Sequence, residues 1–352
     1  MTPKSFTIFA IVTAATVVAA VIAVSLQPQP TSIPTDRALI FPDIAPNLNK
    51  ISAVKVTTNS RKITIRRTDK GWVIPELDGY PVLFEKVKTA LVDLSNLRYL
   101  EAKTADPARY ARLKVEEVTA KDAESKHVDV RDKGGKVLAT GIIGKRNASL
   151  FGTDRGGTYL RKEGVSRAWL AEGIVRLGTA LVDWVARGIV NLDSKDVKSV
   201  DIRESDGNQF FIRREKKTDE DFKLGIIPKG KAQRGQWETN EMPKALEELL
   251  LDDVKLARDV KFPDGPYVTR FTTFDGFVIR TEAAKIGKEY WVRFSVSAEG
   301  VTGLDAEKLK KRAATMNARV SGYVYKIPES AGKRLACKLV NLLEGAGIKA
   351  CA

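Results

Sequence analysis

The chain has 352 residues, 43% of them hydrophobic, and a formal net charge of +15 with a pI near 9.6. This is the composition of an ordinary globular protein that is long enough for two domains. The single histidine and two cysteines count against an enzyme that depends on histidine or cysteine chemistry.

The amino terminus carries a long apolar stretch. Residues 6–26 contain no charged side chain, and a helix of this length spans the roughly 30 Å hydrocarbon layer of a bilayer. Lys4 precedes the stretch and no further basic residue occurs before Arg37, which favours a cytoplasmic amino terminus. We therefore expect a cytoplasmic tail at residues 1–5, a single-pass membrane anchor at 6–26, and a body outside the cytoplasm. A cleaved signal peptide is the alternative, and it also exports the chain.

A proline-rich segment separates this stretch from the remainder of the chain. Residues 27–47 contain five of the 14 prolines. Such a composition favours extended, semi-rigid backbone. We expect this segment to be a stalk between the membrane and the folded body.

Two similar series of predicted elements follow one another after the stalk. Residues 62–74 and 209–227 both read as β-hairpins, with apolar residues at alternate positions and a charged turn. The order around each hairpin is strand, hairpin, helix, hairpin, strand, helix, strand, and it recurs after about 140 residues, a period too long for a solenoid. We therefore predict an α+β fold of two tandem, duplicated modules, at 48–192 and 193–328. Each module would be an antiparallel sheet with helices packed on one face.

Proline and apolar spacing predict one helix early in each module. Pro81 and Pro243 are expected at the first helical positions. The residues expected to face the core, at i, i+3 and i+4 spacing, are Phe84, Val87, Leu91, Leu94, Leu246, Leu249 and Leu250. Each helix would then cover one face of its sheet.

Positive charge is concentrated at residues 213–234 and 308–334. For an exported protein, the matching partners are anionic lipid headgroups, acidic envelope polymers or an acidic face of another protein. Nucleic acid is not expected as a partner, because of the compartment and because neither stretch interleaves aromatic residues with the cations as a stacking platform for single strands would. A solvated basic surface without a partner is the alternative. The residues predicted to form a partner-binding or anion-binding patch are Arg213, Arg214, Lys216, Lys217, Lys229, Lys231 and Arg234.

Both cysteines lie close to the carboxyl terminus. Cys337 and Cys351 are isolated from other metal-ligating residues and even in number, and in an oxidising compartment such a pair forms a disulfide. Two idle thiols or part of a metal site are the alternatives, but a metal ion needs more ligands than two. Residues 329–352 are therefore expected to form a terminal helix and a tail closed by this disulfide.

Candidate catalytic motifs are incomplete. His127 has Ser125 and Asp129 at alternate positions of a predicted strand. Side chains at such positions project in parallel about 6.5–7 Å apart, whereas a catalytic triad converges to about 2.6–3.2 Å. Residues 139–146 approach a phosphate-binding loop but lack a glycine and a hydroxyl that its pattern requires. We therefore predict no catalytic residue, no metal site and no cofactor.

Several segments together resemble a known family. These are "ISAVKV", "ITIRRTDKGWVI", "DPARYARLKV", "GTYLRKEGVSRAWL" and "DWVARGIVNL", which follow the apolar amino-terminal stretch. The chain resembles the bacterial domain of unknown function family 4340, closely over residues 51–202 and more loosely beyond. The resemblance implies a membrane-anchored protein with a repeated α+β body, often linked to gliding-motility-type ABC transport systems as an extracytoplasmic auxiliary component.

The expected function is therefore that of a non-enzymatic, membrane-anchored periplasmic accessory or scaffold component of an ABC-type transport or envelope system. Its partners would be the permease and ATPase subunits of that system. A binding module for anionic envelope polymer or lipid is the first alternative. A hydrolase that uses buried carboxylates is the second.

Overall fold

The computed structural model describes residues 16, 37–150, 156–300, 304–345 and 351. Apart from residue 16, the predicted anchor at 6–26 lies outside the described residues, as do residues 27–36 of the predicted stalk. Among the helices that the structure describes, none is long and apolar enough to cross a membrane. These helices are α1 (Phe84–Ser95), α2 (Tyr110–Leu113), α3 (Gln236–Glu241), α4 (Leu304–Val320) and α5 (Glu329–Leu335).

The described chain contains two large antiparallel sheets. The first sheet has nine strands in the order β4-β3-β2-β1-β6-β7-β8-β9-β5. Its strands are β1 (Ile51–Thr57), β2 (Lys62–Thr68), β3 (Gly71–Ile74), β4 (Tyr80–Pro81), β5 (Arg98–Ala102), β6 (Lys126–Asp132), β7 (Val137–Asn147), β8 (Gly157–Lys162) and β9 (Ala168–Glu172). We call residues 37–192, which contain this sheet, the first half.

The second sheet has eight strands in the order β13-β12-β11-β16-β17-β18-β19-β15. Its strands are β11 (Val197–Arg203), β12 (Gln209–Arg213), β13 (Lys223–Leu224), β15 (Asp253–Leu256), β16 (Tyr267–Thr273), β17 (Phe277–Ile286), β18 (Glu289–Ala298) and β19 (Tyr323–Ile327). Residues from 193 onward form the second half. A separate two-stranded ribbon pairs β10 (Gly188–Val190) of the first half with β14 (Leu249–Leu250) of the second.

The two sheets share one strand order. Reading each sheet from its first hairpin, β3-β2-β1-β6-β7-β8-β9-β5 corresponds to β13-β12-β11-β16-β17-β18-β19-β15, and β4 is the extra edge strand of the first sheet. The register also corresponds, since Val54 lies opposite Ile65 in one sheet and Val200 opposite Ile212 in the other. Strand alternation places these four side chains on the buried face of their sheets.

The two predicted hairpins are part of the core, as their alternating apolar residues indicate. The buried residues of the two hairpins are Ile63, Ile65, Trp72, Ile74, Phe210, Ile212, Phe222 and Leu224. They belong to one apolar cluster that continues from the first half into the second. Burial of this kind contributes about 1.5–3 kcal/mol for each large side chain, so the hairpins stabilise the sheets.

Both predicted helix starts differ from the structure. Pro81 lies in β4, and α1 begins three residues later at Phe84. Pro243 opens a four-residue 3-10 helix, Pro243–Leu246, and the chain then turns at Glu248, whose φ is +45°. The second prediction is wrong because Leu249–Leu250 pairs with β10. The helical spacing of Leu246, Leu249 and Leu250 gives no sign of this strand pairing, which competes with the helix.

The two halves contact each other through side chains as well as through the β10–β14 ribbon. Arg258 donates two hydrogen bonds to the Asp78 carboxylate, at 2.6 and 2.8 Å. The Tyr323 hydroxyl donates to the carbonyl of Leu77 at 3.2 Å, and its ring meets Tyr80 edge to face. The described body therefore has one continuous core with a polar and aromatic seam between its halves.

Candidate functional site

An open groove lies beside the first hairpin. It runs between the end of that hairpin and helix α1, and its volume is about 620 Å³. We call it the hairpin groove and define it by Leu48, Arg67, Trp72, Phe84, Lys88 and Val92, which are among its lining residues. Its size falls in the range of clefts that bind ligands or partner segments.

Apolar side chains form the walls of the hairpin groove. Trp72 is buried at its base, whereas Leu48 and Val92 are each 38% exposed and Phe84 is 56% exposed. Phe84, Lys88 and Val92 are spaced four residues apart, so they lie along one stripe of α1. Val87 and Leu94 are fully buried on the helix. The helix therefore presents one apolar stripe to the core and a second, partly apolar stripe to the groove.

Charged groups surround this apolar surface. Arg67, Lys70 and Lys88 line the groove together with one carboxylate, that of Asp69. Arg67 donates from Nη1 to the carbonyl of Asn49 at 3.0 Å, which fixes the guanidinium at the edge. A second, more polar cavity of about 550 Å³ shares Asn49, Arg67 and Asp69 with the groove. The site is thus an amphipathic cleft with an excess of positive charge.

The side chains that line the hairpin groove are suited to binding through apolar contact and charge. The groove's lining contains no histidine, cysteine or serine, and Asp69 is its one carboxylate. A pair of carboxylates is therefore not available there. Exposed apolar side chains within a cationic rim instead match a segment with an apolar face and acidic flanks.

The sequence does not predict this site, because its apolar spacing places Phe84 on the core-facing side of α1. That prediction is wrong, since Phe84 is more than half exposed. The helix begins at Phe84 itself, so this residue lies on the outer stripe with Lys88 and Val92. The four-residue spacing of these three residues was the available signal.

The predicted basic patch contains one residue that the structure buries. Arg214 is 6% exposed. Its Nε donates to the carbonyl of Val197 at 2.9 Å, and its Nη atoms donate to the carbonyls of Ser194, Lys195 and Asp219. The guanidinium also lies over two phenylalanine rings. Including Arg214 in a partner-binding patch was therefore wrong, because this side chain holds loops together inside the second half.

Three more patch residues lie at the end of β12 and in the turn that follows it. Arg213 and Lys216 are exposed, and the Arg213 guanidinium lies 5.2 Å from the ring centre of Phe211. The Lys217 ammonium is 2.6 Å from the Asp196 carboxylate, and this hydrogen bond raises the pKa of Lys217. The positive charge of Lys217 is thus partly balanced by the carboxylate of Asp196.

The last three patch residues lie in a different loop. Lys229 and Lys231 are exposed on the segment between β13 and α3. The backbone N–H of Arg234 donates to the carbonyl of Leu342 at 2.9 Å, so the end of this loop lies against the carboxyl-terminal segment. The predicted patch residues therefore lie in two separate segments, the end of β12 with its following turn and the loop between β13 and α3.

Cys337 and Cys351 are joined by a disulfide, with Cα atoms 5.4 Å apart. Cys337 is buried just after α5. The bond closes a short loop that includes the segment against which Arg234 lies. The described tail is thereby tied to the second half.

Comparison with known families identifies the chain. The sequence model of the family described as Domain of unknown function (DUF4340) matches residues 72–264, more than half of the chain. The chain belongs to this family. The matched region begins in β3 and ends before β16, so it crosses from the first half into the second. No curated protein and no solved structure matches the chain.

In this DUF4340 chain, His127 is engaged by residues other than its sequence neighbours. Its Nε2 lies 2.8 Å from a carboxylate oxygen of Glu163 and 3.4 Å from the Thr140 hydroxyl. Asp129 instead accepts two hydrogen bonds from Arg131. The Ser125 hydroxyl is buried without a hydrogen-bond partner. The three residues of the "SKHVD" motif therefore do not converge.

Two buried carboxylates of this DUF4340 chain have structural partners. Asp93 on α1 accepts three hydrogen bonds from Arg176, from its backbone N–H and its guanidinium, at 2.8–2.9 Å. Glu204 accepts from the backbone N–H of Leu339 at 2.8 Å. Each carboxylate lies in a different half. Within the described residues, no group of three or more histidine, cysteine or acidic side chains is placed to hold a metal ion.

Proposed function

We propose that this chain is a non-enzymatic accessory or scaffold component of an ABC-type transport or envelope system. The observation that carries the proposal is the hairpin groove, an exposed apolar cleft with a cationic rim and no histidine, cysteine or serine in its lining. The partner class comes from the linkage to ABC systems that the family resemblance implies. The groove would bind an extracytoplasmic segment of the permease.

The chemistry of the groove defines the segment that it would accept. Phe84, Leu48 and Val92 expose apolar surface that an apolar side chain would cover, at about 25 cal/mol per Å² removed from water. Arg67 and Lys88 would face acidic groups beside that side chain. An amphipathic segment with one or two large apolar residues flanked by aspartate or glutamate meets both requirements.

A membrane anchor and a periplasmic body complete the proposal. The uncharged stretch at residues 6–26 supports an anchor. The disulfide between Cys337 and Cys351 supports an oxidising compartment such as the periplasm. The bulk of the chain would then lie outside the inner membrane, with its amino terminus in the cytoplasm.

We further infer that the body arose by duplication. Besides the shared strand order, both sheets have an irregularity at the same point, between Ile51 and Ala53 and between Val197 and Ser199. Bulges are retained within protein families as structural features, so two at one position support a common origin.

A side-chain contact supports the same inference. Arg67 lies near the end of β2, the first strand of its hairpin, and donates to the carbonyl of Asn49, two residues before β1 begins. Arg214 follows the corresponding strand and donates to the carbonyl of Lys195, two residues before β11 begins. The arginine lines the hairpin groove in the first half and is buried in the second. Function would then belong to the copy that kept its groove open.

The test is recovery of the partner through the groove. The tagged full-length chain is isolated from cross-linked membranes of its own bacterium, as the unaltered protein and as the variants Phe84→Asp and Val92→Asp. Val165→Asp is the matched control, because Val165 is also an exposed apolar residue, at 41%, on the turn after β8.

We expect ABC permease and ATPase subunits with the unaltered protein and with Val165→Asp, and at least a tenfold loss with either groove variant, since a charge in an apolar contact costs more than about 1.4 kcal/mol. Equal recovery with the groove variants would place the partner elsewhere. Absence of ABC subunits from the unaltered protein would remove the proposed function.

A further inference from the structure

The loop between β13 and α3 combines positive charge with exposed branched aliphatic side chains and an exposed tryptophan. Residues 225–235, which we call the basic loop, contain Lys229, Lys231 and Arg234 and no acidic residue. Ile226 and Ile227 lie at the start of the loop and are 48% and 44% exposed. Trp237, two residues beyond its end, is 58% exposed.

The basic loop has a defined shape. The N–H of Lys231 donates to the carbonyl of Pro228 at 3.0 Å, and Gly230 between them has φ of +78°. This is the geometry of a turn that needs glycine at its third position. Lys229 and Lys231 therefore flank the tip of a tight turn, and both are exposed.

Both ends of the basic loop are held by the second half. The N–H of Gly225 donates to the carbonyl of Phe211 at 2.9 Å. At the other end, Gln233 forms a β-bridge with Leu343, whose side chain is buried, and Ala232 accepts from the N–H of Glu344 at 2.9 Å. The disulfide-closed tail thus braces the loop. A preorganised loop loses less conformational freedom on binding.

Two lysines of the basic loop stand apart from the ion pairs of the described residues. Among these residues, neither the Lys229 nor the Lys231 ammonium takes part in an ion pair, whereas Lys217 of the turn after β12 is paired with Asp196. Both side chains are exposed. Lys229 and Lys231 therefore keep an unmet preference for negative charge.

We propose that the basic loop, with Ile226, Ile227 and Trp237, docks the second half onto the surface of an anionic lipid bilayer. Lysines near an anionic bilayer strengthen binding about fivefold each. Tryptophan and branched aliphatic side chains favour the boundary between headgroups and acyl chains. A soluble polyanion would bind the lysines but would leave the three apolar side chains in water, so the bilayer is the ligand that uses the whole surface.

The test uses the fluorescence of Trp237 in the full-length chain. The protein is reconstituted into nanodiscs of brominated phosphatidylcholine, with and without phosphatidylglycerol, because bromine quenches only those tryptophans that reach the lipid. Trp72, Trp184 and Trp291 are buried, and Trp237 is the most exposed tryptophan that the structure describes. The variant Trp237→Phe identifies the signal that belongs to this residue.

We expect quenching that requires phosphatidylglycerol and disappears in Trp237→Phe. The double variant Lys229→Glu/Lys231→Glu should reduce the Trp237 signal by about threefold or more. Salt raised from about 0.1 M to about 1 M should do the same, since the screening length falls from about 10 to about 3 Å. Lys62→Glu/Lys311→Glu is the matched control, because both lysines are exposed and lie in other elements.

Three results would overturn the proposal. Quenching that persists in Trp237→Phe would show that another tryptophan reaches the lipid. Equal quenching without phosphatidylglycerol would show that the lysines do not select anionic lipid. Binding of soluble polyglutamate through Lys229 and Lys231 without quenching by the bilayer would make the loop a polyanion site. The unfolding midpoint of each variant confirms that the body stays folded.

Discussion

Arg214 provides the sharpest test of how the second half is held together. The perturbation is Arg214→Lys, which keeps the positive charge but replaces a planar group with five donors by an ammonium with three. In the structure, the guanidinium donates to four backbone carbonyls from three nitrogen atoms. A single ammonium cannot occupy all three nitrogen positions.

The magnitude follows from the hydrogen bonds that are lost. A hydrogen bond that involves a charged group contributes about 1.5–3 kcal/mol. If the substituted lysine keeps two of the four acceptors, we expect the free energy of unfolding to fall by about 2–4 kcal/mol after partial rearrangement. The two ring contacts, with Phe222 and Phe274, would also weaken, since an ammonium does not stack as a guanidinium does.

The assay is urea unfolding of the full-length chain in detergent, followed by circular dichroism. Arg213→Lys is the matched control, because Arg213 is the preceding residue, is exposed and has one long ion pair with Glu215, at 3.6 Å. Its effect should stay within about 0.5 kcal/mol. If Arg214→Lys were as mild as Arg213→Lys, the assignment of Arg214 to the core scaffold would be refuted. Arg214 would then be available to a partner again.

Three further predictions concern the core, the tail and the seam between the halves. Trp72→Ala should lower the free energy of unfolding by about 3–5 kcal/mol, as measured by urea unfolding, because Trp72 is buried between hairpin and helix. Reduction of the Cys337–Cys351 disulfide, which closes a loop with a separation of 14 residues, should lower it by about 3 kcal/mol, as measured by the same method with and without reductant. The hydrogen bond from Arg258 lowers the pKa of Asp78, so this pair stabilises the fold above the unfolded pKa of about 3.9 and loses that contribution as the pH falls through the folded value. Arg258→Gln should therefore flatten the acid side of a plot of stability against pH.

Each of these predictions has a clear contrary result. A Trp72→Ala variant with an unchanged urea midpoint would mean that the first hairpin is not part of the core. An equal free energy of unfolding with and without reductant would show that the disulfide does not stabilise the fold. If the free energy of unfolding of Arg258→Gln fell equally steeply at acid pH, protonation of Asp78 would not be the cause of that fall. Asp69→Asn is the control for the last case, because Asp69 lies on an exposed turn of the first half.

Local patterns predicted the sheets well. Alternation of apolar residues at Ile63, Ile65 and Trp72 requires one buried face, and the structure buries all three. The disulfide between Cys337 and Cys351 joins residues that are close in sequence, so its two partners were evident from the chain. Patterns of this kind depend on spacing along one segment and need no knowledge of distant neighbours.

Contacts between distant segments escaped the same reasoning. Leu249 and Leu250 have helical spacing with Leu246, yet they form a strand because β10, from the other half, offers backbone partners. Arg214 reads as a surface cation, yet loops at Ser194 and Asp219 close over it. Neither the strand at Leu249–Leu250 nor the burial of Arg214 can be read from the residues next to it in the sequence.

The sequence by itself therefore determined the α+β class, the hairpins and the pairing of the cysteines, because these depend on period and proximity along the chain. Tertiary structure alone decided which of the two hairpins borders the hairpin groove, and which of Arg67 and Arg214 is buried. Arg67 and Arg214 make the same contact in their two halves, and what packs over each guanidinium sets its exposure. That packing comes from residues remote in the chain, which is why only the folded molecule separates a rim residue from a core residue.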